Sequence, residues 1–140
     1  MISVRKQEIV KLEDVLHLYQ AVGWTNYTNQ PQMLEQALSH SLAIYLALDG
    51  DTVVGLIRLV GDGFSSVFVQ DLIVLPTYQR QGIGRALMKQ ALGDFKGAYQ
   101  VQLVTEQTEK NVGFYRSIGF ETLSTYDCIG MIWVDREKLQ

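Results

Sequence analysis

The feature that most constrains this chain is a strand that runs through a short polar loop into a helix beginning with two glycines. Residues 72–87 read LIVLPTYQRQGIGRAL, and the first four are apolar on both faces, as in a central strand covered on both sides. Pro76 ends the strand, and Gly82 and Gly84 fall in the first turn of the helix. The segment therefore predicts a β-turn-α unit at the centre of a mixed α/β fold.

The start of this helix is a candidate pyrophosphate site. The first four N–H groups of a helix lack internal acceptors, and the helix dipole adds partial positive charge there. Glycine lets a phosphate approach those groups without a Cβ in the way. Arg80 and Arg85 bracket the loop and offer charge-assisted hydrogen bonds.

Three other interpretations of the two glycines were weighed. A dinucleotide-binding fingerprint requires a third glycine where Leu87 stands, and an acid about 20 residues on, where residues 100–102 are Gln, Val and Gln. A Walker phosphate loop requires Gly-Lys-Ser/Thr, which is absent. The glycines alone are also compatible with close packing of the helix on the sheet, and that alternative stays open.

Hydrophobic periodicity predicts the order β-α-α-β-β-β-α-β-α-β-β. The pattern favours one domain spanning residues 1–140, because no repeat or linker interrupts it. A loop at 24–29 and a hairpin turn at 49–51 separate the early elements. The predicted strands cover residues 2–6, 42–48, 53–60, 66–75, 101–104, 120–124 and 129–134, and the predicted helices cover 12–22, 31–38, 82–95 and 108–117.

Composition excludes several classes of protein. With 47% hydrophobic and 19% charged residues, the chain is not disordered. The net charge of −3 and the lack of any Lys/Arg run longer than two disfavour nucleic-acid binding. The apolar stretches are too short for a membrane span, and the N-terminus lacks an apolar signal core, so we expect a cytoplasmic protein. One cysteine and two distant histidines, His17 and His40, predict no metal site.

The glycine loop resembles motif A of the GCN5-related N-acetyltransferase (GNAT) superfamily. That signature, Gln/Arg-x-x-Gly-x-Gly/Ala after a strand, stands here as QRQGIG at residues 79–84. The resemblance implies the GNAT fold, a mostly antiparallel central sheet with a β-α-β core that binds acetyl-CoA. It also implies that the strand lines the pantetheine arm and that the loop holds the pyrophosphate. The implied cofactor contacts are Leu72, Ile73, Val74, Gln79, Arg80, Gln81, Gly82, Ile83, Gly84 and Arg85.

A second helix carries a matching signal. Asn111, Phe114, Tyr115 and Ile118 share one helical stripe, which places an amide and a phenol on an otherwise apolar face. A core tyrosine with a satisfied hydroxyl is the alternative explanation. Residues 111–120, NVGFYRSIGF, resemble GNAT motif B, and this implies that Tyr115 protonates the departing CoA thiolate while Asn111 and Phe114 contact the cofactor. Many members place the asparagine seven residues before the tyrosine, where this chain has Thr108; the Asn-Val-x-Phe-Tyr arrangement instead looks like the glucosamine-phosphate acetyltransferase branch.

Acetyl transfer to an amine also needs a route for the amine proton. A base commonly removes it, often through water. Gln70 stands where related sugar-phosphate enzymes have glutamate, and a glutamine cannot act as a base. Asp71 and Glu106 are the remaining candidates by resemblance, although Asp71 also fits a structural acceptor, and a water relay is equally consistent. Backbone N–H near Leu72 or Ile73 is expected to stabilise the oxyanion.

The acceptor site is the least determined by sequence. The resemblance nominates Trp24, Asn26 and Tyr27 on one wall and Tyr126 and Asp127 opposite, with the aromatic rings suited to an ammonium group. Packing of Trp24 and Tyr27 beneath the helices is the alternative.

The sequence predicts an N-acetyltransferase acting on a small or peptidyl amine. The alternatives are an idle CoA-binding module of the same fold and an α/β protein that binds another nucleotide. A homodimer through residues 129–134 is a further expectation, although core packing explains the apolar character of that segment equally well.

Overall fold

A five-stranded sheet with spatial order β1-β2-β3-β4-β5 forms the frame of the protein. Neighbouring strands are antiparallel from β1 to β4, and β4 and β5 are parallel, joined through a helix. The computed structural model describes residues 1–135 and residue 137. The strands are β1 (Ile2–Lys6), β2 (Ala43–Asp49), β3 (Thr52–Gly61), β4 (Ser66–Val74) and β5 (Gln100–Leu103).

Five α-helices accompany the sheet, and two 3-10 turns lie at Pro76–Tyr78 and Leu123–Tyr126. The chain divides into two compact units with the boundary after Val104. The first unit contains the sheet and the first four helices, and the second contains the fifth. The helices are α1 (Leu12–Ala21), α2 (Thr25–Thr28), α3 (Pro31–Ser39), α4 (Ile83–Asp94) and α5 (Glu109–Ile118).

The two faces of the sheet carry different helices. Alternate side chains of a strand point to opposite faces, so one register separates two cores. One core packs α1, α2 and α3 against residues such as Leu46, Leu56 and Ile73. On the other face, Met88 and Ala91 of α4 pack with strand residues that include Leu59, Val67 and Val69. The sheet is therefore covered on both sides, as the apolar run in β4 predicts.

A β-bulge interrupts β4 at Gln70. Arg58 of β3 pairs with Asp71, and the next residue, Leu59, pairs with Val69, so Gln70 has no partner on β3. One extra residue reverses which side chains face each core. Residues before the bulge, such as Val69, face α4, whereas Asp71 and Ile73 face α1 to α3.

Most predicted elements are confirmed, and the end of the chain is not. The mixed α/β class and the largely antiparallel sheet agree with the prediction, as do the helices that begin at Leu12, Pro31 and Ile83. The predicted loop 24–29 was wrong in part, because α2 forms inside it.

The two predicted strands at 120–124 and 129–134 were wrong. The Thr122 hydroxyl hydrogen-bonds those of Ser124 and Thr125, at 3.0 and 3.3 Å, and such local side-chain bonds favour the observed 3-10 turn over a strand. Residues 129–134 have a strand-like composition, but no ladder partner for them exists among the described residues. Ile129, Met131, Ile132 and Trp133 are accordingly 78–91% exposed.

Candidate functional site

The open edge of β4 is the first part of the candidate site. Pairing with β5 ends at Val69 and Leu103, so residues 70–74 have no strand partner on that side. The Leu75 N–H donates to the Val54 carbonyl at 2.9 Å, which shows that Leu75 faces β3. Because backbone groups alternate along an antiparallel ladder, Ile73 also faces β3, whereas Leu72 and Val74 point to the open edge. Of the two amides considered for an oxyanion, only that of Leu72 lies on this edge.

The turn that follows β4 is fixed to the sheet by side chains. The Tyr78 hydroxyl donates to Asp49 Oδ2 at 2.7 Å, and this hydrogen bond lowers the pKa of Asp49. Gln79 Nε2 donates to the Val74 carbonyl at 3.1 Å. The side chain of Gln79 is thereby committed to the end of β4, so its contribution to a ligand is through its backbone and the turn that it holds.

The backbone between Gln79 and α4 adopts the geometry of an anion-binding loop. Arg80 and Gly82 have φ values of +65° and +81°, with Gln81 outside the positive-φ region between them. Alternation of this kind turns successive N–H groups into a concave nest. In the described part of the chain, no acceptor receives a hydrogen bond from the N–H groups of residues 80–84. The predicted pyrophosphate loop thus presents unsatisfied donors.

Gly82 is required for its conformation rather than for close packing. A Cβ at Gly82 would meet no atom within 4 Å, while its left-handed φ is one that other residues rarely adopt. The close approach between α4 and the sheet occurs instead at Gly55 on β3, where a Cβ would lie 3.3 Å from Leu87 Cδ1 and 3.1 Å from the Ile73 carbonyl oxygen. The packing interpretation of Gly82 therefore loses its support. Ile83 is buried, which anchors the helix start.

A buried polar cluster lies immediately beyond the bulge, and we call Tyr19, Tyr27, Arg58, Gln70 and Asp71 the bulge cluster. Arg58 Nε contacts Asp71 Oδ2 at 2.7 Å, and these two residues are 4% and 2% exposed. The hydroxyls of Tyr19 and Tyr27 donate to the two oxygens of Asp71, at 2.8 and 3.0 Å. Burial raises the pKa of Tyr19 and of Tyr27, so both phenols remain protonated at neutral pH.

This arrangement argues against Asp71 as the general base. Both carboxylate oxygens already accept hydrogen bonds, and the group forms an ion pair in the core. A carboxylate so occupied is the structural acceptor that the sequence analysis gave as its alternative. Three separate elements, α1, α2 and β3, are joined to β4 through it.

Tyr27 and Trp24 follow the packing alternative, while Asn26 does not. Tyr27 is 9% exposed, and its ring centroid lies 5.1 Å from that of Tyr19, with Trp24 at 6.1 Å from Tyr19. The Arg58 guanidinium carbon lies 5.9 Å from the Tyr27 ring centroid. Asn26 is exposed on α2. The predicted aromatic wall is therefore mainly part of the core, and an intramolecular arginine already occupies the cation–π position.

The second unit presents the predicted stripe of α5. Thr108 caps the helix, because its hydroxyl accepts from the Asn111 N–H at 3.1 Å. Asn111 Nδ2 donates to the Glu106 carbonyl at 3.5 Å. Asn111, Phe114, Tyr115 and Ile118 are half-buried, whereas Arg116 and Ser117 between them are exposed. The helical period expected from the sequence is confirmed.

Tyr115 is the titratable group best suited to hold a proton in this unit. Its ring makes edge contacts with Phe114 and Phe120, at centroid distances of 5.0 and 5.9 Å. Burial raises the pKa of its phenol above the ordinary value of 10.0. No described residue hydrogen-bonds the hydroxyl, so the core-tyrosine alternative with a satisfied hydroxyl finds no partner here.

The other predicted residues of this unit are exposed. Glu106 lies between β5 and α5, with its carboxylate free of any described partner. Tyr126 is 69% exposed, and Asp127 ends the second 3-10 turn with a φ of +57°.

Sequence reasoning missed Tyr19 and Arg58. Arg58 is a single charge inside the apolar run LIRLV of β3, and such a buried charge requires a partner. That was an available signal, although it does not identify the partner. Tyr19 reads as one more apolar position of α1. Among the described residues, no cluster of three metal-binding side chains occurs, and no helix is long and apolar enough to cross a bilayer.

Comparison with known proteins identifies one family. The family described as "Acetyltransferase (GNAT) domain" matches residues 40–122. Serotonin N-acetyltransferase 2 of Oryza sativa is 33% identical over 95 residues, 65% of this chain and 48% of that protein, so the chain spans about half the length of this relative. GCN5-related N-acetyltransferase 1 of Arabidopsis thaliana is 30% identical over 139 residues, 96% of this chain and 68% of that protein.

Solved structures agree. A GNAT family acetyltransferase from Streptococcus pneumoniae is 82% identical with a TM-score of 0.90, covering 97% of this chain and 99% of the other. Two structures that share the fold at TM-scores of 0.69 and 0.71, with 20% and 19% identity, contain coenzyme A or a CoA-linked bisubstrate analogue.

Proposed function

Because the chain belongs to the GNAT family of acetyltransferases, we propose that it transfers an acetyl group from acetyl-CoA to the primary amine of a small molecule or peptide. One observation carries the proposal: five consecutive N–H groups, at residues 80–84, point into no protein acceptor at the start of α4. Such a loop is built for a phosphate. The family supplies the ligand, since acetyl-CoA bears a diphosphate and an acyl thioester.

The residues present fit that cosubstrate. The N–H groups of residues 80–84 would hold the diphosphate, with the guanidinium groups of Arg80 and Arg85 adding charge. The open edge of β4 would hydrogen-bond the pantetheine arm through the N–H and C=O of Leu72 and the N–H of Val74. Asn111 and Phe114 are proposed cofactor contacts from α5. Acetyl-CoA, when bound, supplies an activated acyl group.

The proposed reaction is direct attack by the amine. The amine nitrogen forms a C–N bond to the thioester carbonyl carbon, and the N–H of Leu72 stabilises the oxyanion. The C–S bond then breaks, and the Tyr115 hydroxyl gives its proton to the leaving sulfur. The raised pKa keeps the Tyr115 phenol protonated throughout the neutral range, as an acid requires.

The amine must lose a proton before or during attack. Asp71 is already saturated with hydrogen bonds, so the proton leaves through water, with exposed Glu106 as the proposed side-chain acceptor. An alkylammonium with a pKa near 10.4 costs roughly 4 kcal/mol to deprotonate at pH 7.4.

The finer assignments are part of the same proposal. We assign both units to one acetyltransferase domain, residues 1–140, because the family match at 40–122 crosses the boundary after Val104. Asn26, Tyr126 and Asp127 are proposed to border the acceptor site, together with Trp24 and Tyr27. A homodimer through the exposed apolar residues 129–134 and a cytoplasmic location complete the proposal; the two plant relatives are chloroplastic.

The test is an acceptor screen with acetyl-CoA that follows thiol release. Amines, amino acids, polyamines, aminosugars and peptides are compared with the wild-type protein and with Tyr115→Phe. We expect at least one amine to be acetylated, a loss of kcat of about 100-fold or more in the variant, and unchanged CoA affinity. The matched control is Tyr99→Phe, because the Tyr99 side chain is 81% exposed. CoA binding without acetylation of any amine would favour the idle module, and failure to bind CoA would contradict the proposal.

A further inference from the structure

The bulge cluster fixes the direction of every hydrogen bond in it. Arg58 has only donors, and the Asp71 carboxylate beside it has only acceptors. The Tyr27 hydroxyl contacts Asp71 Oδ1 at 3.0 Å, so its single proton must point to Asp71. Its oxygen then accepts from Arg58 Nη2 at 3.2 Å and from Gln70 Nε2 at 3.4 Å.

This chain of donors determines how the Gln70 amide is oriented. Because the phenol proton is already used, the Gln70 group that faces Tyr27 must be the NH2 and not the carbonyl. The assignment follows from the polarity of the cluster and not from the shape of the side chain, whose two ends are otherwise alike. The carbonyl oxygen of Gln70 is therefore held on the side away from Tyr27, where no described residue donates to it.

Gln70 occupies the position where that oxygen is accessible and relevant. It is the unpaired residue of the bulge, it is exposed, and it directly follows Val69, the last β4 residue paired with β5. Two residues further along the same edge lies Leu72, whose N–H we propose for the oxyanion. The bulge cluster thus presents one fixed hydrogen-bond acceptor beside one unpaired donor.

We infer that the side-chain oxygen of Gln70 accepts a hydrogen bond from the acceptor amine and orients its lone pair toward the thioester. Gln70 is then a specificity-determining residue, while Tyr27, Arg58 and Asp71 are positioning residues that act through it. This inference rests on the proposed function. It selects acceptors whose nucleophile carries an N–H to donate.

The neutral charge of Gln70 has a chemical consequence. A carboxylate at this position would stabilise the ammonium form and raise the pKa of the bound amine, which opposes deprotonation. An amide oxygen orients the amine with a much smaller effect on its pKa. The site therefore binds the amine without favouring its unreactive protonated form.

The test measures the KM of the acceptor separately from that of acetyl-CoA. Gln70→Leu removes the oxygen at similar volume, and we expect the acceptor KM to rise about tenfold, the size of one lost hydrogen bond, with the KM of acetyl-CoA unchanged. Tyr27→Phe removes the group that orients Gln70, and a smaller rise of about threefold is expected. Gln90→Leu, at an exposed position of α4, is the matched control and leaves both KM values unchanged.

Gln70→Glu separates orientation from general polarity. It keeps an acceptor oxygen, so the acceptor KM should stay within about threefold of wild type, while the acidic limb of the pH–rate profile moves to higher pH as the bound ammonium is stabilised. Thermal melts of all variants verify folding. An acceptor KM within twofold of wild type in a folded Gln70→Leu protein would overturn the inference, although the protein remains an acetyltransferase. An inactive wild-type protein that binds no CoA would instead overturn the proposed function.

Discussion

The turn between β4 and α4 and the bulge cluster lie along the same strand, yet they are built by opposite means. In the turn, residues 80–84 expose backbone N–H groups that no described acceptor satisfies. In the bulge cluster, the Asp71 carboxylate accepts from Tyr19, Tyr27 and Arg58, and no buried side-chain N or O atom among the described residues lacks a partner. One region is open to a ligand, and the other has its polar groups satisfied internally.

The difference indicates how labour is divided along β4. A backbone site depends on conformation and tolerates exchange of most side chains, because the donors are main-chain groups. A buried ion pair depends on both partners, because removing one leaves the other charged and desolvated. We therefore expect substitutions in the turn to change ligand affinity, and substitutions in the bulge cluster to change stability first.

The largest expected effect is on stability in the bulge cluster. Arg58→Met leaves the Asp71 carboxylate buried without its cation, which should cost about 3–5 kcal/mol of unfolding free energy. The double variant Arg58→Met/Asp71→Leu removes both charges and should recover most of that loss. Urea unfolding measures both. A single variant within about 1 kcal/mol of wild type would contradict the account of this ion pair.

The next effect sharpens the contrast at the turn. Gly82→Ala places a Cβ at a left-handed φ of +81°, which costs about 1–2 kcal/mol and displaces the N–H groups beside it. We expect the Kd for CoA to rise about tenfold. Gly93→Ala is the matched control, since Gly93 lies in α4 with ordinary φ and open space around it. Calorimetric titration with CoA gives both values, and equal affinities for the two variants would refute a role for the loop conformation.

The smallest effect is a pH dependence confined to the bulge cluster. Burial raises the folded-state pKa of Tyr19 and Tyr27, while unfolded tyrosine titrates near 10. Above that pH the folded state retains protons that the unfolded state has lost, so stability falls as pH rises. Tyr19→Phe should make the decline between about pH 9.5 and 11 shallower, whereas Tyr99→Phe, at an exposed position, should not. Urea unfolding at a series of pH values tests this, and identical slopes would contradict it.

The same contrast explains what could be predicted from the sequence. The turn is encoded locally, since Pro76, Gly82 and the apolar strand before them specify a strand, a turn and a helix start within 16 residues. The bulge cluster joins residues 19, 27, 58 and 71, and its formation depends on the register of two strands around a bulge. A bulge has no sequence signature here, so neither the partner of Arg58 nor the orientation of Gln70 was predictable.

The C-terminal strands were predicted wrongly for a related reason. Residues 129–134 have the composition of a strand, but a strand forms only where a ladder partner is available. Composition cannot identify that partner. The stripe on α5 was predictable because its period is set within one helix.

The most direct test of the central claim is a titration of the isotope-labelled protein with CoA, followed by the 1H–15N shifts of its backbone amides. If the diphosphate binds to the loop, the amides of residues 80–84 move most, and those of Leu72 and Val74 move next. Shifts concentrated elsewhere, with the amides of 80–84 unmoved at saturating CoA, would contradict it.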